Sequence, residues 1–94
     1  MNLENLKIIK SDKRGTIYSC DKVNFIIRKK GSVCANHTHE SPEILYLTRG
    51  EIELTVGNEI STIKAPMKIS IQPNIYHKLL ALSDIEFIED KKEN

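Results

Sequence analysis

The segment Gly31-Ser-Val-Cys-Ala-Asn-His37-Thr-His39-Glu-Ser-Pro-Glu43 holds two of the three histidines of the chain, separated by a single residue. In an extended strand, side chains two residues apart point to the same side, so both imidazoles can face one point. A carboxylate follows four residues after His39, beyond a Ser-Pro break that allows the backbone to turn. The three side chains therefore predict three corners of a metal site.

Continued to Gly50, the segment has the spacing G-x5-H-x-H-x3-E-x6-G. This spacing resembles the first motif of the cupin superfamily. The second cupin motif is a proline-rich turn followed by a histidine, and the stretch from Pro66 to His77 resembles it. The resemblance covers residues 23–82. It implies an all-β fold, an antiparallel jelly-roll β-barrel, and one bound metal ion with the ligands His37, His39, Glu43 and His77.

The second motif departs from the family pattern at several positions. Pro66 stands where glycine is usual, Gln72 where proline is usual, and Ala81 where asparagine is often found. Asn74 replaces a turn glycine, which is tolerable because asparagine adopts positive φ more readily than most residues. The ligand set is complete, but the subfamily stays open.

The strand pattern agrees with an all-β fold. Short runs rich in Ile, Val, Thr, Tyr and Phe alternate with turn residues every eight to twelve positions, as in a sandwich or barrel. Gly57-Asn58 predicts a two-residue hairpin loop. The predicted strands are 6–10, 16–20, 23–30, 43–49, 51–56, 59–65, 68–72, 76–82 and 85–89.

The chain of 94 residues predicts a single domain, 1–94. It comprises an N-terminal strand segment (1–20), a barrel core (23–82) and a frayed polar tail (90–94). A chain of this length forms only a small core of marginal stability, so we expect a homodimer that buries additional surface. The apolar residues between positions 3 and 9 are expected either to extend a sheet or to pack on a partner subunit.

Charge and hydropathy exclude some partners. Fourteen basic and thirteen acidic residues give a net charge of +1. Without a clustered basic face we expect no nucleic-acid binding, and without a long apolar run no membrane binding. No secretion signal is recognisable, so we expect a cytoplasmic protein. The run Arg28-Lys29-Lys30 is interpreted as a solvated strand end, with an anion contact as the alternative.

The two cysteines, Cys20 and Cys34, are expected to be free thiols. Cys34 lies three residues before His37, so a regular strand would turn it away from the histidines. It is interpreted as a small packing residue, and a redox or metal role is the alternative.

Three imidazoles and one carboxylate suit Zn, Fe, Ni or Mn, and the lack of thiolate ligands disfavours a closed structural zinc site. The interior is expected to be lined by Leu45, Leu47, Ile52, Leu54 and Leu79. The function predicted is a small cupin that binds, or acts on, a small-molecule ligand.

Three alternatives remain open at this point. The histidines could lie on the surface or form ordinary hydrogen bonds, leaving a pocket without metal. The protein could be a non-catalytic binding or sensing module, because no further acid, base or cation of the pocket is recognisable in the sequence. It could also be a structural domain that assembles with a partner. Whether it is an enzyme stays open.

Overall fold

A computed structural model of the protein describes residues 1–90. Within residues 1–90 the chain forms ten strands and no helix. The strands are β1 (Lys7–Asp12), β2 (Gly15–Cys20), β3 (Val23–Arg28), β4 (Val33–His37), β5 (Glu43–Arg49), β6 (Glu51–Val56), β7 (Glu59–Lys64), β8 (Met67–Ile71), β9 (His77–Ala81) and β10 (Ile85–Asp90).

Across these residues the strands form two antiparallel sheets, as expected for a jelly roll. The larger sheet has the order β1-β2-β3-β10-β5-β8, and the smaller one has the order β4-β9-β6-β7. Because β4 pairs with β9 and β5 pairs with β8, the first motif and the second motif meet in space. The predicted fold class, an all-β jelly roll, is confirmed.

Alternation along the strands buries one face of each sheet in a shared core. In β5 the side chains of Leu45 and Leu47 are buried, whereas Tyr46 between them is exposed. The same period of two buries Leu79 in β9 and Ile52 in β6. The five residues expected to line the interior are all buried: Leu45, Leu47, Ile52, Leu54 and Leu79.

The hairpin predicted at Gly57-Asn58 is present. The β6–β7 pairing runs up to the pair Val56 and Glu59, which leaves a two-residue loop. Gly57 has φ of 59°, a left-handed conformation that glycine adopts without steric cost.

One strand was missing from the sequence prediction. Strand β4 occupies Val33–His37, a segment expected to be extended around the two histidines but absent from the predicted strands. Its sequence, VCANH, includes an asparagine and a histidine and has little strand character of its own. Pairing with β9 over this stretch gives the segment its extended form.

The two chain ends were predicted in part. Strand β1 extends the larger sheet at its edge, as one of the two expectations for this segment stated, and every residue in it is exposed. Strand β10 includes Glu89 and Asp90, so the predicted frayed tail 90–94 was wrong at its first residue. The rest of that tail lies outside the described residues.

The interpretation of the basic run was wrong for Arg28. Its side chain is only 4% exposed, because position 28 follows Ile26 on the inward face of β3. Lys29 and Lys30 are exposed, as expected of a strand end. Among residues 1–90 there is no helix of the length and hydropathy needed to cross a membrane.

Candidate metal centre

Four side chains from three strands and one loop converge at one end of the sandwich. His37 is the last residue of β4, Glu43 the first of β5 and His77 the first of β9, whereas His39 lies in the loop after β4. One potential ligand atom from each side chain lies within 4.8 Å of all the others. The structure thus brings together all four residues singled out in the sequence.

The backbone holds the two motifs against each other. His37 and His77 are directly paired in the β4–β9 ladder, so both rings start from one rung of the sheet. The amide N–H of Asn74 donates a hydrogen bond of 2.6 Å to the carbonyl oxygen of His39, which joins the turn before β9 to the loop after β4. Asn74 has φ of 63°, the conformation expected where the family has glycine.

The buried half of the cluster consists of His77 and Glu43, whose side chains are 2% and 8% exposed. The ring Nδ1 of His77 lies 3.2 Å from the carbonyl oxygen of Ile75. Because a carbonyl oxygen can only accept, Nδ1 carries the proton, and in the neutral ring Nε2 is then an acceptor.

This Nε2 lies 2.9 Å from Oε2 of Glu43, a second acceptor. Neither atom has a hydrogen-bond partner within the part of the chain that the structure describes. Two buried acceptors that face each other need a cation or a proton between or beside them, because an unsatisfied buried polar atom is costly.

The other half of the cluster faces outward. The ring centroids of His37 and His39 are 3.9 Å apart, and those of His37 and His77 are 4.7 Å apart. Nε2 of His39 lies 3.5 Å from Oε2 of Glu43. His37 is exposed and His39 is half-buried, so the site is buried on one side and accessible on the other.

These distances fit a divalent metal ion. With metal–ligand bonds of about 2.0–2.2 Å, two ligands are separated by roughly 3 Å in neighbouring positions and about 4.2 Å in opposite ones. The separations of 2.9 and 3.5 Å lie close to the distance for neighbouring positions. The upper bound of 4.8 Å exceeds the distance for opposite positions, so the side chains would move slightly closer together around an ion. The donor set of three imidazoles and a carboxylate could therefore hold a metal ion.

A cavity of about 480 Å³ opens beside the cluster. His37, His39 and Glu43 form part of its wall, together with apolar residues that include Leu45 and Leu79. A site of this volume and mixed lining is suited to a small organic molecule.

Sequence reasoning missed two polar residues of this cavity, Asn24 and Glu89. The available signal was the alternation in each strand. Asn24 is in phase with the buried Ile26 of β3, and Glu89 is in phase with the buried Phe87 of β10.

The predicted orientation of Cys34 was wrong, because Cys34 lines the same cavity as the histidines. The β4–β9 register shifts between Val33 and Ala35, and this irregularity changes which face the following residues occupy. Burial raises the pKa of the Cys34 thiol, although Arg28 and Arg14 act in the opposite direction. The thiol is not one of the four clustered groups. Both cysteines are free, as expected.

Gly31 and Gly50, the first and last residues of the first motif, have different surroundings. Gly50 has φ of 95°, and a Cβ at this position would lie 2.4 Å from the carbonyl oxygen of Asp84. Gly31 has φ of 89°, but a Cβ there would meet no atom of the described chain within 4 Å.

Comparison with solved structures supports the same architecture. A cupin 2 domain-containing protein from Halorhodospira halophila superposes with a TM-score of 0.68 at 17% identity, over 77% of this chain and 53% of that one. An RmlC-like cupin from Shewanella frigidimarina gives a TM-score of 0.73 at 19% identity, over 89% of this chain and 80% of that one.

The capsular polysaccharide assembling protein CapF from Staphylococcus aureus gives a TM-score of 0.79 at 19% identity. The superposition covers 98% of this chain but only 30% of CapF. The chain thus spans about half of the Halorhodospira protein and under a third of CapF. At these identities the likeness establishes the fold.

No curated protein matches the chain in sequence. Residues 24–88 match the family described as the Cupin domain. That range contains both motifs, all four clustered side chains and most of the two sheets. The chain belongs to the Cupin domain family.

Proposed function

We propose that this protein binds one divalent metal ion through His37, His39, Glu43 and His77, and that its cavity binds a small organic molecule next to that ion. The observation that carries the proposal is the pair of facing buried acceptors, His77 Nε2 and Glu43 Oε2, at 2.9 Å. A cation beside them would satisfy both atoms at once.

The chain's own residues prepare this arrangement. The Ile75 carbonyl oxygen accepts from Nδ1 of His77 and so fixes the ring with Nε2 toward Glu43. Glu43 is buried at the start of β5, so its carboxylate has little freedom to move away. His37 and His39 complete the donor set on the accessible side, where a substrate would enter.

The metal's identity stays open among Zn, Fe, Ni and Mn, because the donor set suits each of them. When bound, such an ion supplies Lewis acidity toward a carbonyl or enolate oxygen, or reactivity with dioxygen if it is iron. Leu45, Leu79 and Phe87 in the cavity wall would limit the access of water to a bound molecule.

A non-catalytic binding or sensing module is the second candidate. The observation that favours it is the composition of the cavity wall. Among the described residues, no lysine and no arginine lines the cavity. A turnover assay on the metal-loaded protein with small organic acids would separate the two candidates once a bound molecule is known.

The decisive experiment is element-resolved metal analysis of protein purified without an affinity tag. We expect about one divalent ion per chain in the wild type and a loss of at least tenfold in occupancy in His37→Ala/His39→Ala. Cys34→Ala serves as the matched control, because Cys34 lines the same cavity outside the cluster, and it should keep the metal.

Two outcomes would contradict the proposal. One is a wild-type protein that contains no metal and takes up none on reconstitution with Zn, Fe, Ni or Mn salts. The other is an equal loss of metal from Cys34→Ala and from the double histidine variant.

A further inference from the structure

The cavity beside the metal centre is lined by two polar side chains that do not belong to the proposed ligand set, Asn24 and Glu89. Asn24 lies on β3 and Glu89 on β10, and the two residues are directly paired in the antiparallel register of these strands. Directly opposed residues have Cβ atoms about 5 Å apart on one face of a sheet, so the two side chains can act on the same group.

The register also places this pair relative to the metal centre. Glu89 is paired with Leu45 of β5, and Glu43 lies two residues before Leu45 on the same face. Glu43 and Glu89 are therefore diagonal neighbours, which are separated by roughly 7–8 Å in antiparallel sheets. A small molecule of four to six carbon atoms can reach from one to the other.

The amide of Asn24 has unused hydrogen-bonding capacity. Its Oδ1 is buried and has no hydrogen-bond partner among residues 1–90. The terminal torsion of asparagine is broad, so the group can turn either its oxygen or its NH2 toward a bound molecule. The carboxylate of Glu89, when ionised, only accepts.

A hydroxyl group matches this combination. It donates one hydrogen bond, which Glu89 can accept, and it accepts another, which the Asn24 NH2 can donate. An ammonium group also donates, but it has no lone pair with which to accept the hydrogen bond that the Asn24 NH2 can donate.

We propose that Asn24 and Glu89 bind a hydroxyl group of the substrate, and that the substrate class is a small hydroxylated organic acid whose acid oxygen ligates the metal. This inference rests on the proposed metal site, and it adds the residues that select the substrate. Leu45 lines the cavity and pairs with Glu89, so it would contact the carbon chain of the bound molecule.

The test uses three five-carbon probes that differ at one end: 5-hydroxypentanoate, pentanoate and 5-aminopentanoate. Their binding to the metal-loaded full chain is measured by isothermal titration calorimetry. We expect the hydroxy acid to bind at least tenfold more tightly than pentanoate and than the amino acid. A preference of less than twofold, no binding of any probe, or tighter binding of the amino acid would overturn the inference.

Variants assign the preference to the two residues. Asn24→Leu and Glu89→Gln should each reduce the hydroxyl preference at least fivefold while keeping the wild-type metal content. Glu86→Gln is the matched control, because Glu86 lies on the opposite face of β10 in a surface ion pair with Arg49 at 3.8 Å, and it should keep the preference. A preference unchanged in Asn24→Leu and Glu89→Gln would overturn the assignment.

Metal content separates this inference from the proposed function. If the wild type binds no metal, the proposed function fails. If all variants hold one ion per chain but the probes bind alike, only the hydroxyl site fails.

A readout that needs neither metal nor probe is the melting temperature. We expect Asn24→Leu to raise it by about 4 °C or more, because the variant removes a buried unpaired acceptor, and a fall would count against the role given to Asn24.

Discussion

Gly50 ends the first motif in a backbone conformation that disfavours any residue with a Cβ atom. Two effects act there: its φ of 95° and the Asp84 carbonyl oxygen 2.4 Å from the position of a Cβ. Gly31, at the start of the motif, has a similar φ of 89° without such a neighbour in the described chain. The two positions therefore separate backbone strain from a steric clash.

We predict that Gly50→Ala lowers the free energy of unfolding by about 3 kcal/mol or more, and Gly31→Ala by roughly 1–2 kcal/mol, the cost of a left-handed conformation alone. Urea unfolding followed by circular dichroism would measure both. Equal losses would mean that the Asp84 carbonyl moves aside and that only the backbone conformation matters.

Residue identity made the four clustered side chains predictable. Histidines are rare in this chain, and the spacing from His37 to Glu43 is distinctive. Asn24 and Glu89 could be placed on inward faces by counting from their apolar neighbours. Whether an inward polar residue lies in a cavity or in the core depends on where the two sheets separate, and one strand's pattern contains no such information.

At the scale of elements, the β6–β7 hairpin shows how far alternation predicts burial. Ile52 of β6 is completely buried, whereas Ile60 of β7 is 66% exposed. Both are isoleucines in paired strands of the smaller sheet. Their difference comes from the face on which each lies.

We predict that Ile52→Ala lowers the free energy of unfolding by about 2–5 kcal/mol, because it leaves a cavity in the core. Ile60→Ala should change it by no more than about 0.5 kcal/mol. Chemical denaturation of both variants tests this, and a large loss at Ile60 would indicate that another chain covers β7.

Strand boundaries in regular alternating stretches were predicted to within two residues, as for β5 and β6. Strand β4 and its irregularity between Val33 and Ala35 were not predicted. Both depend on the partner strand β9, which extends a segment of weak propensity and sets its register. The error in orienting Cys34 followed from the same cause, since counting by two assumes a regular ladder.

At the scale of the whole molecule, the N-terminal strand leaves one edge of the larger sheet unpaired among the described residues. Strand β1 contacts β2 on one side, and Leu3, Leu6 and Ile8 are more than half exposed. An exposed strand edge with apolar side chains is suited to pairing with a second chain. A homodimer formed through this edge stays a proposal.

We predict that the full chain is a dimer in solution and that deletion of residues 1–9 yields a monomer of correspondingly lower mass. Light scattering coupled to size-exclusion chromatography measures both species. A truncated protein that remains dimeric would place the interface elsewhere, and a monomeric full chain would remove the proposal.

The origin of the four clustered side chains has a mechanical consequence. Glu43 belongs to the larger sheet, whereas His37 and His77 belong to the smaller one. An ion bound by all of them would cross-link the two sheets at the end of the sandwich where the cavity interrupts apolar packing. Binding of the ion would then raise the free energy of unfolding through mass action, by roughly 4 kcal/mol at a thousandfold excess over the dissociation constant. A chain of 94 residues with a small core would in this way derive part of its folding stability from the ion that we propose to bind beside its cavity.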